Sequence, residues 1–317
     1  MSGIGRAFWT VGPGTGELHT ETLAEPRPGE VLVRALASGV SRGTESLIFA
    51  GRVPFGQFDA MRAPLMGGTF PFPVKYGYSV VGERDDGVRI FVLHPHQDRF
   101  LAPAVMCVPV PAAIPTHRAV LAANMETALN LCWDAAPLAG ERVLVIGAGV
   151  VGLLAASLLA RVPAAFVTVV DVNPARAALA ESFGCRFALP DAAPRDQELI
   201  IHASASEAGL RLALDRAAFE GRIIEASWYG DAAPSVPLGG SFHARRLRLI
   251  ASQVGAVAPP MRGRRTHAER LATALALLDN PAYDALLEGP TRFDDLPDAM
   301  PRILAPGGLC HVITYET

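Results

Sequence analysis

One stretch constrains the fold more than any other: Glu141–Asp171, which reads ERVLVIGAGVVGLLAASLLARVPAAFVTVVD. Val143–Ile146 is a short apolar run rich in β-branched residues, the pattern of a strand covered on both faces. Gly147-Ala148-Gly149-Val150-Val151-Gly152 follows at once and fits G-x-G-x-x-G. An alanine-rich helical stretch runs from about Val151 to Arg161, and Phe166–Val170 then reads as a second strand ending in Asp171. Gly147 permits a tight turn, Gly149 lets a pyrophosphate approach the backbone, and Gly152 lets the helix pack on the strand. Val150 and Val151 open the helix, whose free N–H groups and positive dipole end face the phosphates. Asp171 stands about 20 residues past the glycines, where a carboxylate accepts from the adenosine ribose hydroxyls. It would repel a 2′-phosphate, so NAD is expected, while Arg176 nearby keeps NADP open. A lone G-x-G-x-x-G also occurs in other βα turns. Here strand, glycines, helix, strand and acid come in order within one unit, which points to a bound dinucleotide.

The whole chain narrows the setting. It has 317 residues, half of them hydrophobic, enough for two domains with sizeable cores. A net charge of -3 predicts neither nucleic-acid binding nor attraction to anionic membranes. The apolar run Val150–Ala160 is shorter than the roughly 20 residues a bilayer needs. The N-terminus shows no signal-peptide pattern, and a cytoplasmic protein is expected. Cys107, Cys132, Cys185 and Cys310 are scattered, with no C-x-x-C pair, so neither a disulfide framework nor a structural zinc site is expected.

Before the central stretch the chain reads as β-rich. Arg6–Thr10 and Leu18–Thr22 flank a Gly/Pro turn, and Glu30–Ser38 is a third strand. Ser38–Glu45 is a polar, glycine-punctuated loop, and Glu45–Ala50 fits one or two helical turns. Gly51–Phe72 carries little periodicity and reads as a functional loop or lid. Val74–Glu83, Arg89–Leu93 and Arg99–Val105 read as strands, the last two separated by His94-Pro95-His96-Gln97. Thr116–Asp134 is helical by pattern.

After Asp171 the pattern alternates. A helix over Pro174–Phe183, a strand at Leu199–His202, a helix over Glu207–Phe219 and strands at Gly221–Ala226 and Leu247–Ser252 specify a parallel α/β sheet. His267–Leu278 is an amphipathic helix, and Tyr283–Arg292 and Gly308–Tyr315 read as strands. The expected division is residues 1–118, residues 119–279 for the nucleotide, and a return over 280–317 to the first domain.

This plan resembles the medium-chain dehydrogenase/reductase superfamily. The resemblance rests on Gly39-Val40-Ser41-Arg42-Gly43-Thr44-Glu45, Gly77-Tyr78-Ser79-Val80-Val81-Gly82 and the Gly147–Gly152 turn. It implies a GroES-like β-rich catalytic domain beside a Rossmann doubly wound parallel sheet. In the zinc enzymes of the superfamily the first anchor carries a cysteine and the second reads G-H-E-x-x-G. Here Ser41, or Arg42 if the register slips, stands at the cysteine, Tyr78 at the histidine and Ser79 at the glutamate. The third ligand would fall near Ala123 or Asn124. Hydroxyls are poor zinc ligands beside thiolate and imidazole, so no metal is expected. His94, His96 and Glu126 are the residues that would rebuild a metal site. Ser-Arg-Gly-Thr-Glu with Lys75-Tyr76-Gly77-Tyr78 most resembles a zinc-lacking branch related to the dehydrogenase of the bacteriochlorophyllide hydroxyethyl group.

The resemblance makes Tyr78 the candidate donor that polarises a substrate oxygen, and Thr44 a candidate in a proton relay. Each has a bland alternative, a structural tyrosine and a loop hydrogen bond. Arg42 is a candidate pyrophosphate contact or a surface arginine. Glu126, in an apolar helix, needs a partner, so it is either a tuned acid or base or half of an ion pair. His96 suits proton transfer near neutral pH, although histidines in a short turn are more often at the surface. Ser227 and Trp228 follow a strand whose carboxyl end should face the cofactor. The implied function is zinc-independent, NAD(P)-dependent interconversion of an alcohol and a carbonyl. The alternatives are an NADPH-dependent quinone or enoyl reductase and a non-catalytic NAD(H)-binding protein. The apolar edge Leu247–Ser252, together with the resemblance, predicts a homodimer.

Overall fold

The computed structural model describes residues 3–316. The chain forms two compact units. One is the chain up to Ala123 together with the stretch from Leu271 onward, and the other is Asn124–Arg270. In chain order the first part of unit one contains β1 (Gly3–Gly12), β2 (Thr15–Leu23), β3 (Glu30–Val40), α1 (Arg42–Phe49), β4 (Gly67–Gly68), β5 (Val74–Lys75), β6 (Val80–Arg84), β7 (Arg89–Val92), β8 (Arg99–Pro103), β9 (Val108–Pro109) and α2 (Thr116–Ala119). Helix α3 (Ala122–Ala135) leads into unit two, with β10 (Arg142–Ile146), α4 (Val150–Leu159), β11 (Phe166–Val170), α5 (Ala177–Ser182), β12 (Arg186–Ala188), β13 (Gln197–His202), α6 (Glu207–Arg216), β14 (Ala217–Glu225) and β15 (Arg248–Ala251). Helix α7 (His267–Leu277) leads back to β16 (Leu287–Arg292), α8 (Leu296–Ile303) and β17 (Cys310–Thr314).

Unit two is a six-stranded, all-parallel sheet in the order β12-β11-β10-β13-β14-β15. The order reverses at β10, the topological switch point where open α/β sheets bind ligands at the carboxyl ends of their strands. Leu144, Ile146, Val170, Ile200 and Ile223 pack against Ala213 and Leu214 of α6. Strand β15 lies at one edge, as the sequence suggests.

Unit one has a four-stranded sheet, β2-β1-β5-β4, and a seven-stranded sheet in which β16-β17-β3-β6-β7-β9 run in order and β8 pairs with β3. Strand β17 runs antiparallel to β3. The core joins Phe8, Val33, Phe49, Val80 and Ile90 to the buried face of α8, formed by Leu296, Ala299, Met300 and Ile303. That i, i+3, i+4, i+7 spacing puts all four on one stripe. Among the described residues no helix is long and apolar enough to cross a membrane.

The structure corrects several element boundaries. Val74–Glu83 is two strands in two different sheets, broken at Gly77. Gly77 has φ +126°, and a Cβ there would lie 3.0 Å from the His96 ring. Thr116–Asp134 is two helices. Leu121 N–H turns back to the Arg118 carbonyl at 3.0 Å, while the Val120 carbonyl accepts the Ser79 hydroxyl. The Glu207–Phe219 helix stops at Arg216, because Ala217 already begins β14 beside Gln197. The front of Tyr283–Arg292 is 3₁₀ turn, capped by the Asn280 side chain on Ala282 N–H. Strand β12 and helix α8 have no counterpart in the sequence reading.

Candidate functional site

In unit two the glycine turn joins β10 to α4. Gly147 has φ +109°, and a Cβ on it would meet Ala203 and the Ser204 nitrogen at 2.9 Å. A Cβ on Gly152 would lie 2.0 Å from the Gly147 carbonyl oxygen. Both positions therefore require glycine for the turn to close. Gly149 differs, since a Cβ there would meet nothing within 4 Å. It caps α4 without a side-chain bond, so the helix presents its first N–H groups to an approaching ligand. These features fit a dinucleotide pyrophosphate.

Asp171 follows β11. Its Oδ2 accepts Ala148 N–H at 2.7 Å and its Oδ1 accepts Asn173 N–H at 2.8 Å. The carboxylate is thus fastened to the glycine turn, with remaining lone pairs for a sugar hydroxyl. Arg176 ends the 3₁₀ turn Pro174–Arg176 that follows. The Ser227 hydroxyl accepts Ala205 N–H at 3.0 Å, and Trp228 beside it is half-buried.

Residues that the sequence reading did not single out complete this edge. The buried His202 ends β13 and Glu225 ends β14, with Nδ1 2.8 Å from Glu225 Oε2. Ser204 and Tyr229 also join the group. Burial alone would raise the Glu225 pKa, but His202 and Ser227 N–H hold it below the usual carboxylate range. A signal was present: each of the apolar runs Leu199–His202 and Arg222–Glu225 ends in a titratable residue at the carboxyl edge.

In unit one the structure brings Tyr78, Ser41 and Thr44 together. The Tyr78 hydroxyl donates to Ser41 Oγ and also hydrogen-bonds Thr44. Burial pushes the Tyr78 pKa up to about 12; the bonds to Ser41 and Thr44 oppose the rise and the Glu45 charge adds to it. Tyr78 is therefore a neutral donor at physiological pH. Glu45 Oε1 accepts the Ser41 backbone N–H at 2.7 Å, which fixes the start of α1.

The two histidines are not at the surface. His96 is completely buried: Nε2 lies 2.9 Å from Glu45 Oε2 and Nδ1 lies 2.8 Å from Ser38 Oγ, which also bonds Tyr315. His94 stacks on Phe100 with centroids 3.6 Å apart, and burial pushes its pKa down to about 3. Arg42 opens α1 and donates to the Ile303 carbonyl. It lines an open polar pocket of about 380 Å³ with Glu288, Thr291, Arg302 and His311.

Glu126 is half of an ion pair. Arg270 Nε lies 2.9 Å from its Oε1, and the same guanidinium donates to Asn130 and to the Val254 and Ala256 carbonyls. Burial raises the Glu126 pKa while Arg270 opposes the rise. With its carboxylate committed to Arg270, Glu126 sits in a structural pair rather than as a free acid.

The residues at the superfamily's metal positions do not fit zinc. Ser41 and Tyr78 are bonded to each other, and Ser79 is committed to the Val120 carbonyl. Among the described residues no three His, Cys, Asp or Glu side chains are grouped so as to hold a metal ion, so His94, His96 and Glu126 do not assemble one.

Comparisons with known proteins agree with this architecture. Residues 134–218 match the family described as "Alanine dehydrogenase/PNT, C-terminal domain". The 2-desacetyl-2-hydroxyethyl bacteriochlorophyllide A dehydrogenase of Cereibacter sphaeroides is 38% identical over 72 residues, 23% of this chain and 19% of that protein. An uncharacterized zinc-type alcohol dehydrogenase-like protein of Haemophilus influenzae is 29% identical over 138 residues, 40% of each chain. These matches span at most two-fifths of the length of the curated relatives. A solved short-chain alcohol dehydrogenase from Escherichia coli CFT073, complexed with NADH, aligns with a TM-score of 0.78 at 17% identity, covering 98% of this chain and 99% of its own. The two-unit architecture is thus similar to that of a solved alcohol dehydrogenase. The fold is the one such solved dehydrogenases share.

Proposed function

We propose that this chain interconverts an alcohol and a carbonyl compound by NAD-dependent hydride transfer without zinc, with Tyr78 as the group that polarises the substrate oxygen. The observation that carries the reading is the Tyr78 hydroxyl, standing where the superfamily places a metal ligand and tied to Ser41 and Thr44. NADH supplies the hydride when bound. In the reductive direction Tyr78 donates its proton to the oxygen as negative charge grows there, and Ser41 and Thr44 hold and restore that proton. In oxidation the alcohol proton passes to the Tyr78 oxygen as Tyr78 hands its own proton on through Ser41 and Thr44 to water. Because its pKa lies near 12, Tyr78 stays protonated across the physiological range. Gly147, Gly149 and Gly152, with the N–H groups of the α4 turn at Val150 and Val151, cradle the pyrophosphate. Asp171 favours NAD over NADP, and Ser227 and Trp228 line the nicotinamide side.

A turnover screen with NADH and NADPH over aldehydes, ketones, enones and quinones tests the class. Preference for enones or quinones with NADPH would favour the reductase alternative. Binding without turnover would favour a non-catalytic NAD(H)-binding protein. Tyr78→Phe keeps the ring and removes only the donor. A donor aimed at developing charge is worth about 3–4 kcal/mol, so turnover should fall roughly a hundredfold or more at nearly unchanged cofactor affinity. A fully active Tyr78→Phe enzyme would remove the assignment. One tightly held zinc per chain in protein purified without added metal would overturn the metal-free reading.

The exposed edge strand β15 supports a homodimer paired across a two-fold axis. A monomer in light scattering at micromolar concentration would count against it.

A further inference from the structure

The proposed function gives His96 no part, yet this residue touches both sides of the hydrogen bond on which that function depends. On the Tyr78 side, the imidazole lies against Gly77, which directly precedes Tyr78 in the chain. A Cβ on Gly77 would lie 3.0 Å from the ring, so glycine lets the two pack this closely. His96 N–H also donates to the Tyr76 carbonyl at 3.3 Å. The backbone that carries Tyr78 therefore rests on His96.

On the Ser41 side the contact is polar. His96 Nε2 lies 2.9 Å from Glu45 Oε2, and Glu45 Oε1 accepts the Ser41 N–H at 2.7 Å. Ser41 Oγ in turn accepts the Tyr78 hydroxyl. Moving Glu45 would thus move the acceptor that aims Tyr78. A carboxylate only accepts, so Nε2 carries the proton that faces Glu45. In the neutral ring Nδ1 is then an acceptor, and the Ser38 hydroxyl, 2.8 Å away, donates to it. Ser38 Oγ accepts the Tyr315 hydroxyl at 2.8 Å. Tyr315 is fixed in its turn: its ring stacks on Phe293 with centroids 4.8 Å apart, and its oxygen bonds the Gln97 backbone. Both imidazole nitrogens are thus occupied in a fully buried ring, which leaves His96 nothing with which to reach a substrate. A buried group with every partner satisfied holds its neighbours in one arrangement.

We propose that His96 is a positioning residue: through Gly77 and Glu45 it holds Tyr78 and Ser41 in the alignment that proton donation to the substrate oxygen needs. The proposal rests on the assignment of Tyr78 as the donor. It gives His96 a geometric role in place of the proton transfer that its residue type suggests.

Steady-state kinetics of the full chain with NADH, and with the aldehyde or ketone that the turnover screen finds, test it as a double-mutant cycle. His96→Leu should lower kcat roughly tenfold or more at unchanged KM for NADH, the scale of a small misplacement of a reacting group. In a Tyr78→Phe background the same change should cost less than about twofold, because the hydroxyl it positions is already gone. His96→Gln keeps an N–H for Glu45 and should recover most of the loss. Ser38→Ala removes only the hydroxyl on Nδ1; it should cost about threefold with the same dependence on Tyr78, and it carries the test if His96→Leu does not fold. Equal losses with and without the Tyr78 hydroxyl, or full activity in His96→Leu and Ser38→Ala, would overturn the inference and leave Tyr78 as the donor. A fully active Tyr78→Phe enzyme, or a wild type that turns over no aldehyde or ketone, would instead sink the proposed function, and this inference with it.

Discussion

The two units build their polar sites by opposite means. In unit two the glycine turn is a backbone device: Gly147, Gly149 and Gly152 shape it, and Asp171 is pinned to it by the Ala148 N–H. All of it lies within one contiguous stretch. In unit one the site is a side-chain device. Ser38, Ser41, Glu45, Tyr78, His96 and Tyr315 form two linked hydrogen-bonded groups from four separate parts of the chain. A backbone device tolerates a change of neighbours but not of its glycines. A side-chain device fails one group at a time, and each failure leaves a buried partner unsatisfied.

The largest expected effect tests whether unit two is as simple as this contrast makes it. Its Glu126–Arg270 pair is buried and spans 144 residues of sequence. Arg270→Ala strands a buried carboxylate and should destabilise the chain by about 3–5 kcal/mol in urea unfolding. Glu126→Gln combined with Arg270→Met should recover much of that loss, because the charge is then gone from both sides. A neutral Arg270→Ala would mean that water reaches Glu126, and unit two would depend on backbone shape alone.

The next effect sharpens the contrast. Gly149→Val places methyl groups in open space, so the fold should survive with its melting temperature close to wild type. Nucleotide affinity should still fall about a hundredfold, about 2.7 kcal/mol, because the side chain occupies the approach of the pyrophosphate. Unchanged NADH affinity in a fluorescence titration would show that the ligand does not come that close to the turn.

What could be read from sequence follows the same division. The parallel-sheet unit is legible because its signals are local: an apolar run, three glycines at fixed spacing and an acid after the next strand. Strand β12 was missed because three residues carry no usable period, and α8 because Pro297 and Pro301 interrupt its pattern. The single-strand reading of Val74–Glu83 failed because Gly77 moves the chain from one sheet to another. Tyr78 and Thr44 stood out only through family resemblance. No local pattern announces that His96 will be buried, since Ser38 and Glu45 reach it from 58 and 51 residues away. His202 and Glu225 sit in runs that read as ordinary strand ends, and only the parallel register makes them a pair.

The smallest expected effect asks whether the buried groups of unit one act singly. His94 stacks on Phe100, and its Nδ1 lies 2.9 Å from the Pro95 carbonyl. Burial is the main reason its pKa drops from 6.5 to about 3; the Pro95 bond opposes the drop, and the charges of Lys75 and His96 add to it. The folded state thus holds this imidazole neutral where the unfolded chain would protonate it. A depressed folded-state pKa contributes stability that is present above pH 6.5 and is lost as the pH falls toward about 3. At pH 5 the unfolded chain has gained about 2 kcal/mol from protonating His94, while the folded chain has gained almost nothing. His94→Leu keeps an apolar partner for Phe100 and removes the proton site. Urea unfolding of the two proteins at pH 7 and pH 5 should show the wild type losing about 2 kcal/mol relative to His94→Leu over that interval. A constant difference between them would mean that the Pro95 carbonyl and nearby water accept the charged imidazole. In that case the polar groups of unit one would relax together rather than fail one at a time.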